Sequence, residues 1–348
     1  MSLPTVTATA GPVLSLQITS AFGSGHLDQL SADGTTAVGR ASSGGLHAAY
    51  WRAGQAVTIP SLPPGANVSA ASGVSADGRY LAGQGQFSGV SRGFRYDTLT
   101  NTYELFDNVA GGPLSPGPNV DGMSGDGQWV TGTTRPGNAT SASGSWSPAT
   151  GWRVHGVLPG TTIASSTDAN FDGSVVVGFC SGTSGFQAFR WSNAGGMLAL
   201  PGGPSLAWDT TSDGSIVVGD SGGAAAFWVG NGSPQFIPNA AGAALATGDG
   251  GALIGGGTAY PYSGISANTA FLWDSAHGTR LVSQVLQEGG VDITGMMFGN
   301  VTGISGDGTV IAGNMTLNGV RRSFIATIPA PGTLVVCAVP FLTPRRRR

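Results

Sequence analysis

Lysine is absent from this 348-residue chain, glutamate occurs only at Glu104 and Glu288, and charged residues of all kinds make up 9%. Four of the fifteen arginines are the last four residues, Arg345, Arg346, Arg347 and Arg348; without them the net charge moves from -3 to -7. A body so poor in cations offers no clustered positive surface for phosphate, which excludes a nucleic-acid partner. Cysteine occurs only at Cys180 and Cys337, so no disulfide framework or thiolate metal site can be argued. The four histidines, His26, His47, His155 and His277, show no HxH or HExxH spacing, and calcium loops of the DxDxDG kind are missing. No metal or cofactor is therefore expected. Met1 to Gly11 has no basic residue ahead of an apolar run and makes a poor signal peptide.

What the chain has in abundance is glycine, 60 residues of it, together with 40% hydrophobic residues, 8 tryptophans and 14 phenylalanines. That mixture builds a packed core and is incompatible with a flexible linker or a disordered chain. Sixteen of the eighteen acids are aspartates, which belong to turns, and so few glutamates argue for an all-β chain. Composition is uniform from end to end, which favours one large repetitive domain.

One motif recurs seven times: a small or polar residue, any residue, Asp-Gly, then a short apolar run ending in glycine. The copies are SADGTTAVG from 31, SADGRYLAG from 75, SGDGQWVTG from 124, NFDGSVVVG from 170, TSDGSIVVG from 211, TGDGGALIG from 247 and SGDGTVIAG from 305. Their turn pairs are Asp33-Gly34, Asp77-Gly78, Asp126-Gly127, Asp172-Gly173, Asp213-Gly214, Asp249-Gly250 and Asp307-Gly308. In each, the aspartate suits the second central position of a hairpin turn and the glycine its positive φ. Seven near-identical carboxylates serve the repeat; a single active site has no use for the same group in every copy.

An aromatic block follows each turn, as in AAYW to Trp51, AFRW to Trp191, AFW to Trp228 and AFLW to Trp273. The AFxW strand is expected to put Phe and Trp on opposite faces, each against a neighbouring sheet. A third apolar strand often closes with proline, as at Pro60, Pro159, Pro201 and Pro238. Each repeat thus reads as four short antiparallel strands. The last copy stops at Phe324 to Ile328 without its final strand, whereas a strand-like run, Val13 to Ile18, precedes the first motif. Pairing that run with the last copy closes a ring and removes the sheet edges. The reading is a single seven-bladed β-propeller over 13–328, after a disordered segment 1–12. The alternative is a parallel β-helix, whose rungs call for a shorter period.

The repeat resembles the HAF-repeat family of extracellular propeller-like proteins, through His47-Ala48-Ala49, Ala188-Phe189, Ala226-Phe227 and Ala270-Phe271. Residues 329–348 resemble a PEP-CTERM sorting signal: Pro329-Ala330-Pro331-Gly332, an apolar stretch Thr333 to Leu342, then the arginines. Ten residues with Pro340 among them reach about 15 Å as a helix against a hydrocarbon core of about 30 Å, so the stretch is too short to span. These resemblances imply an exported bacterial protein at the cell surface or in its matrix, cleaved by an exosortase-type protease and touching the membrane only transiently through the tail.

The expected function is a structural or adhesive interaction module, monomeric, with a polysaccharide or surface protein as partner and no catalytic residues. The alternative is a glycan-active propeller enzyme, a glycosidase or lyase, which needs a pair of carboxylates. Arg52, Arg95 and Arg190 recur beside the aromatic strand as a repeat position. Gly89-Val90-Ser91-Arg92-Gly93 matches the nucleophile elbow in letters, but lies between two strands of one repeat, without the strand-turn-helix setting that chemistry needs.

Overall fold

The computed structural model describes residues 14–330 apart from 20–24, 43–45, 60–66, 114–115, 138–140 and 259–264. Val13, Cys337, Pro331 and the terminal arginines Arg345 to Arg348 lie outside the described residues. Seven four-stranded antiparallel sheets follow one another around a ring, which removes the β-helix alternative. Blade 1 comprises His26–Leu30, Thr36–Ser42, Leu46–Arg52 and Gln55–Thr58, from the axis outward. Blades 2 to 6 repeat that order with first strands Asn67–Val74, Asn119–Met123, Thr161–Ala169, Ser205–Thr210 and Ala243–Thr247. Blade 7 has Met296–Ile304, Val310–Leu317 and Val320–Thr327, and its outermost strand is Ser15–Thr19 from the other end of the chain. Ile18 sits opposite Phe324 in that pairing, so both termini are locked in one sheet. The longest interval between motifs, before blade 7, holds the helix α1 (Val282–Glu288), whose Val282, Val285 and Leu286 are buried in the core of blade 7.

The motif glycine folds its hairpin as its chemistry requires. In blade 2 the Gly78 amide donates to the Ser75 carbonyl at 2.9 Å, the Ser75 hydroxyl donates to Asp77 at 2.6 Å, and Gly78 takes φ +68°. The Arg79 amide closes the turn on the same carboxylate at 3.0 Å. Gly34, Gly127, Gly173, Gly214 and Gly308 take φ between +66° and +72° at the same place.

Blade 6 departs by one residue. Gly251, not Gly250, donates back across the turn, to Gly248, and its Cβ position faces Ile216 of blade 5, as that of Gly214 faces Val175 of blade 4. Asp249 and Gly250 are thus each displaced one place along the turn, and Asp249 occupies the position held by Ala32, Ala76, Gly125, Phe171, Ser212 and Gly306 elsewhere.

That variable turn residue links the blades. Its carbonyl accepts a backbone amide from the preceding blade at Ala76, Gly125, Phe171, Ser212, Gly306 and Ala32, at 2.7 to 3.0 Å. The repeat arginines clamp the same turns from outside. Arg95 donates to the Gly127 carbonyl at 2.7 Å, Arg153 to that of Gly173 at 2.6 Å and Arg190 to that of Gly214 at 3.1 Å, while Arg52 reaches Gly78. Arg153 also lies between the rings of Trp129 and Trp191, at 4.0 and 4.5 Å.

The aromatic strand corrects one expectation. Phe189 and Trp191 share a face and one core with Val176, because residues two apart in a strand point the same way. Only where the two are adjacent, as in Phe227-Trp228, do they part to different cores.

Candidate functional site: the central cavity

The apolar run of each motif ends in a glycine that the turn does not explain. In blade 2 it is Gly83, where a Cβ would overlap the Ala70 carbonyl oxygen and come within 2.7 Å of the Phe94 ring. The same overlap with a first-strand carbonyl arises at Gly39, Gly132, Gly178, Gly219, Gly256 and Gly313. Each of these glycines pairs with the residue just before a β-bulge in the first strand. A bulge inserts one residue and re-aims its side chain. Here the inserted residues are Asp28, Ser72, Asp121, Thr167, Trp208, Leu245 and Thr302, and all seven line one cavity at the ring axis.

The cavity has a volume of about 490 Å³, in the range of small-molecule sites. Two tiers form it. The bulge residues make one; four residues further along each strand, the variable turn residues make the other, at the hairpin end of the channel. Six of those seven turn residues are small or, at Asp249, acidic; the exception is Phe171, half-exposed over Gly125.

The walls differ in chemistry. On the side of blades 4 and 5, Phe179 lies 5.9 Å from Trp208 and 5.6 Å, edge-on, from the exposed Phe186. The Trp208 indole N–H donates to Asp220 at 3.4 Å, and burial raises the Asp220 carboxyl. On the side of blades 1 and 3, Asp28 and Asp121 face the space with Arg40, the only cation lining it. The Arg40 Nε lies 4.0 Å from Asp28, which also meets His26 at 3.1 Å. Asp121 accepts the Ser165 hydroxyl at 2.7 Å. Its depth in the protein pushes its carboxyl up to about 6, Asp28 adding to the rise while Ser165 and Arg40 oppose it.

Asp168 and Asp209 have a second duty. Each follows a bulge and accepts the backbone amide of the next first strand: Asp168 from Thr210 at 3.3 Å, Asp209 from Thr247 at 2.7 Å. Gln29 does the same for Val74 at 2.9 Å and donates to Asp168 at 3.3 Å. Where glycine follows the bulge, at Gly73 and Gly122, the next strand packs directly against it. Burial raises both carboxyls, and the charge of Asp209 raises Asp168 further.

Of the turn aspartates singled out by the motif, only Asp249 lines the cavity, through the one-residue displacement of its turn. Asp33, Asp77, Asp126, Asp172, Asp213 and Asp307 do not line it. The serine of the elbow-like Gly89–Gly93 stretch sits in strand Val90–Asp97 with no helix after it. His155 donates or accepts between Ser143 and Ser145 at 3.1 Å, stacked on Trp191, and burial drives it down to about 3, so it is a neutral core residue. Among the described residues no group of three or more His, Cys, Asp or Glu is placed to hold a metal ion. The bulge residues escaped the motif because they vary, yet each lies 11 residues before the glycine that betrays its bulge.

No family model matches the sequence, and no curated protein does either. Among solved structures, an oligogalacturonate lyase in complex with manganese matches at a TM-score of 0.54 and 13% identity, over 92% of this chain and 98% of that one. The Cps50 (Swd1) β-propeller domain from Myceliophteria thermophila matches at 0.52 and 12%, over 90% of this chain and 100% of that domain. TolB from Acinetobacter baumannii matches at 0.43 and 12%, over 90% of this chain, which spans 66% of TolB's length. At these identities the likeness is one of fold.

Proposed function

We propose that this propeller is an exported binding module of the bacterial surface or matrix that takes part of a polysaccharide into its central cavity and does no chemistry on it. One observation supports the reading above others: seven equivalent bulge positions carry five kinds of side chain around the ring, whereas the frame of the turns beside them repeats. Architecture needs the turns alike; it has no need for an indole at one bulge and carboxylates at two others. Export rests on the resemblance of residues 329–348 to a sorting signal, including Pro329, Pro331 and the terminal arginines.

A glycan array and polysaccharide pull-down with the whole chain test the binding. Retention that falls at least tenfold in Phe171→Ala and Trp208→Ala, with unchanged melting temperature, supports a cavity binder; no retained glycan overturns it. Intact-mass analysis of protein recovered outside the cell tests the sorting signal, which predicts a product without Arg345 to Arg348.

The enzymatic reading draws on Asp168 and Asp209, two neighbouring carboxyls on the cavity wall that burial raises. Both are engaged in holding the next blade's amide, which gives the pair a structural reason to exist. Release of new reducing ends from a retained glycan, lost in Asp168→Asn, would favour the enzyme.

A further inference from the structure

The cavity's two walls select among polysaccharides. We infer that the ligand is a cationic, amino-sugar-bearing chain: its pyranose faces stack on Phe171, Phe179 and Trp208 while its ammonium groups meet Asp28 across the channel and Asp121 beside the aromatic side chains. This rests on the reading of the propeller as a glycan binder and specifies the class of glycan.

Three features of the lining converge on that class. The first is shape and polarity. Phe171 stands half-exposed at the hairpin end of the channel, Phe179 and Trp208 lie along the same side, and Phe186 continues the line to the surface. Exposed aromatic rings on one side of a cavity suit the C–H faces of sugar rings and leave each sugar's hydroxyls free to bond elsewhere. The second is the supply of small hydroxyl side chains around the remaining wall: Ser72 and Ser212 can donate to and accept from sugar hydroxyls, while Thr167 and Thr302, which donate to the Ala207 and Leu27 carbonyls at 2.9 and 3.1 Å, can only accept.

The third is charge. Five aspartates line the space, Asp28, Asp121, Asp168, Asp209 and Asp249, against the single cation Arg40, which already lies 4.0 Å from Asp28. An anionic sugar would enter against that field with no unshared cation to receive it. A neutral sugar would gain from the aromatic wall and draw nothing from the acids. An ammonium at C2 uses both walls at once, since a charge-assisted hydrogen bond to carboxylate is about twice as strong as a neutral one. A strongly basic peptide could answer the acids, but it leaves the aromatic line and the ring of hydroxyls without complementary groups. Asp121 is the most instructive of the carboxylates: it opens onto the cavity and accepts the Ser165 hydroxyl at 2.7 Å.

Calorimetric titration of the whole chain with glucosamine oligomers, the same oligomers fully N-acetylated, oligogalacturonate, and a poly-lysine peptide separates the outcomes. The inference expects glucosamine oligomers to bind at least tenfold more tightly than the N-acetylated ones, and oligogalacturonate and poly-lysine not to bind. Asp121→Asn, isosteric and still able to accept from Ser165, should bring the two neutral-pH affinities for glucosamine and N-acetylglucosamine oligomers together. Phe171→Ala should weaken both alike. Equal affinity for acetylated and free amines, or preference for oligogalacturonate, overturns the amino-sugar assignment and leaves the glycan-binding reading standing. Binding of poly-lysine alone, or of none of the four, overturns both.

Discussion

Two neighbouring parts of each blade, the frame of the hairpin turn and the bulge before it, obey opposite rules. The hairpin turns repeat almost letter for letter, from Ser31-Ala32-Asp33-Gly34 to Ser305-Gly306-Asp307-Gly308; the bulge residues before them run Asp28, Ser72, Asp121, Thr167, Trp208, Leu245 and Thr302. The turns repeat because each must fit the blade before it. Gly78 packs on Thr36, Gly127 on Tyr80 and Gly173 on Trp129, so the same backbone geometry is demanded at every joint. The bulge side chains point to the axis, where the joint between blades does not fix their identity, although the Thr167 and Thr302 hydroxyls donate to the Ala207 and Leu27 carbonyls of the next blade. Their differences are therefore open to selection by a ligand.

The bulge glycines should be the costliest place to interfere. Gly83→Val drives a side chain into the Ala70 carbonyl and the Phe94 ring, and should lower stability by about 3 kcal/mol or more in denaturant melts. A variant as stable as the parent would mean that the bulge can relax and that the second tier is not rigidly placed.

The turn glycine comes next. Gly78→Val combines positive φ with the approach to Thr36 and should cost ~1–3 kcal/mol. Asp77→Asn in the same turn should cost far less, since an amide oxygen can still accept from Ser75 and Arg79. If the two variants melt alike, backbone geometry is not what the repeat preserves.

A milder contrast lies in pH. Hydrogen bonding from Arg79 holds the Asp97 carboxyl down at about 2, below its unfolded value of roughly 4. A folded value that is depressed contributes stability in full above about pH 4, and that contribution is lost as pH falls through about 2. Asp97→Asn should therefore melt slightly lower than the parent at pH 7 and level with it near pH 2. Equal melting at both pH values would remove the pair from the account of blade 2.

The smallest effect on stability is expected in the channel itself. Phe171 is half-exposed, and its links to neighbouring blades run through its backbone amide and carbonyl, so Phe171→Ala should leave stability within about 0.5 kcal/mol of the parent. A large loss would make Phe171 a packing residue, as the frame of the turn is, and remove it from the variable lining of the channel.

Seven blades, four strands each and closure of the ring by the run ending at Ile18 were all legible in the sequence. They follow from a period, from turn chemistry that Asp-Gly satisfies, and from an apolar strand left without a partner, all properties of local chain geometry. The displaced turn of blade 6 was half-legible: Gly250-Gly251 offers two residues able to take positive φ, and only the packing of Gly251 against Ile216 selects the second. The glycine closing each apolar run stood in plain view without its meaning, because its cause is a carbonyl thirteen residues earlier, brought close by strand pairing. The cavity could not be read from the letters at all. Asp28 and Asp121 lie 93 residues apart in sequence and come to share one wall only when the ring closes, and a lone aspartate or tryptophan in a strand carries no local sign of which way a bulge will turn it.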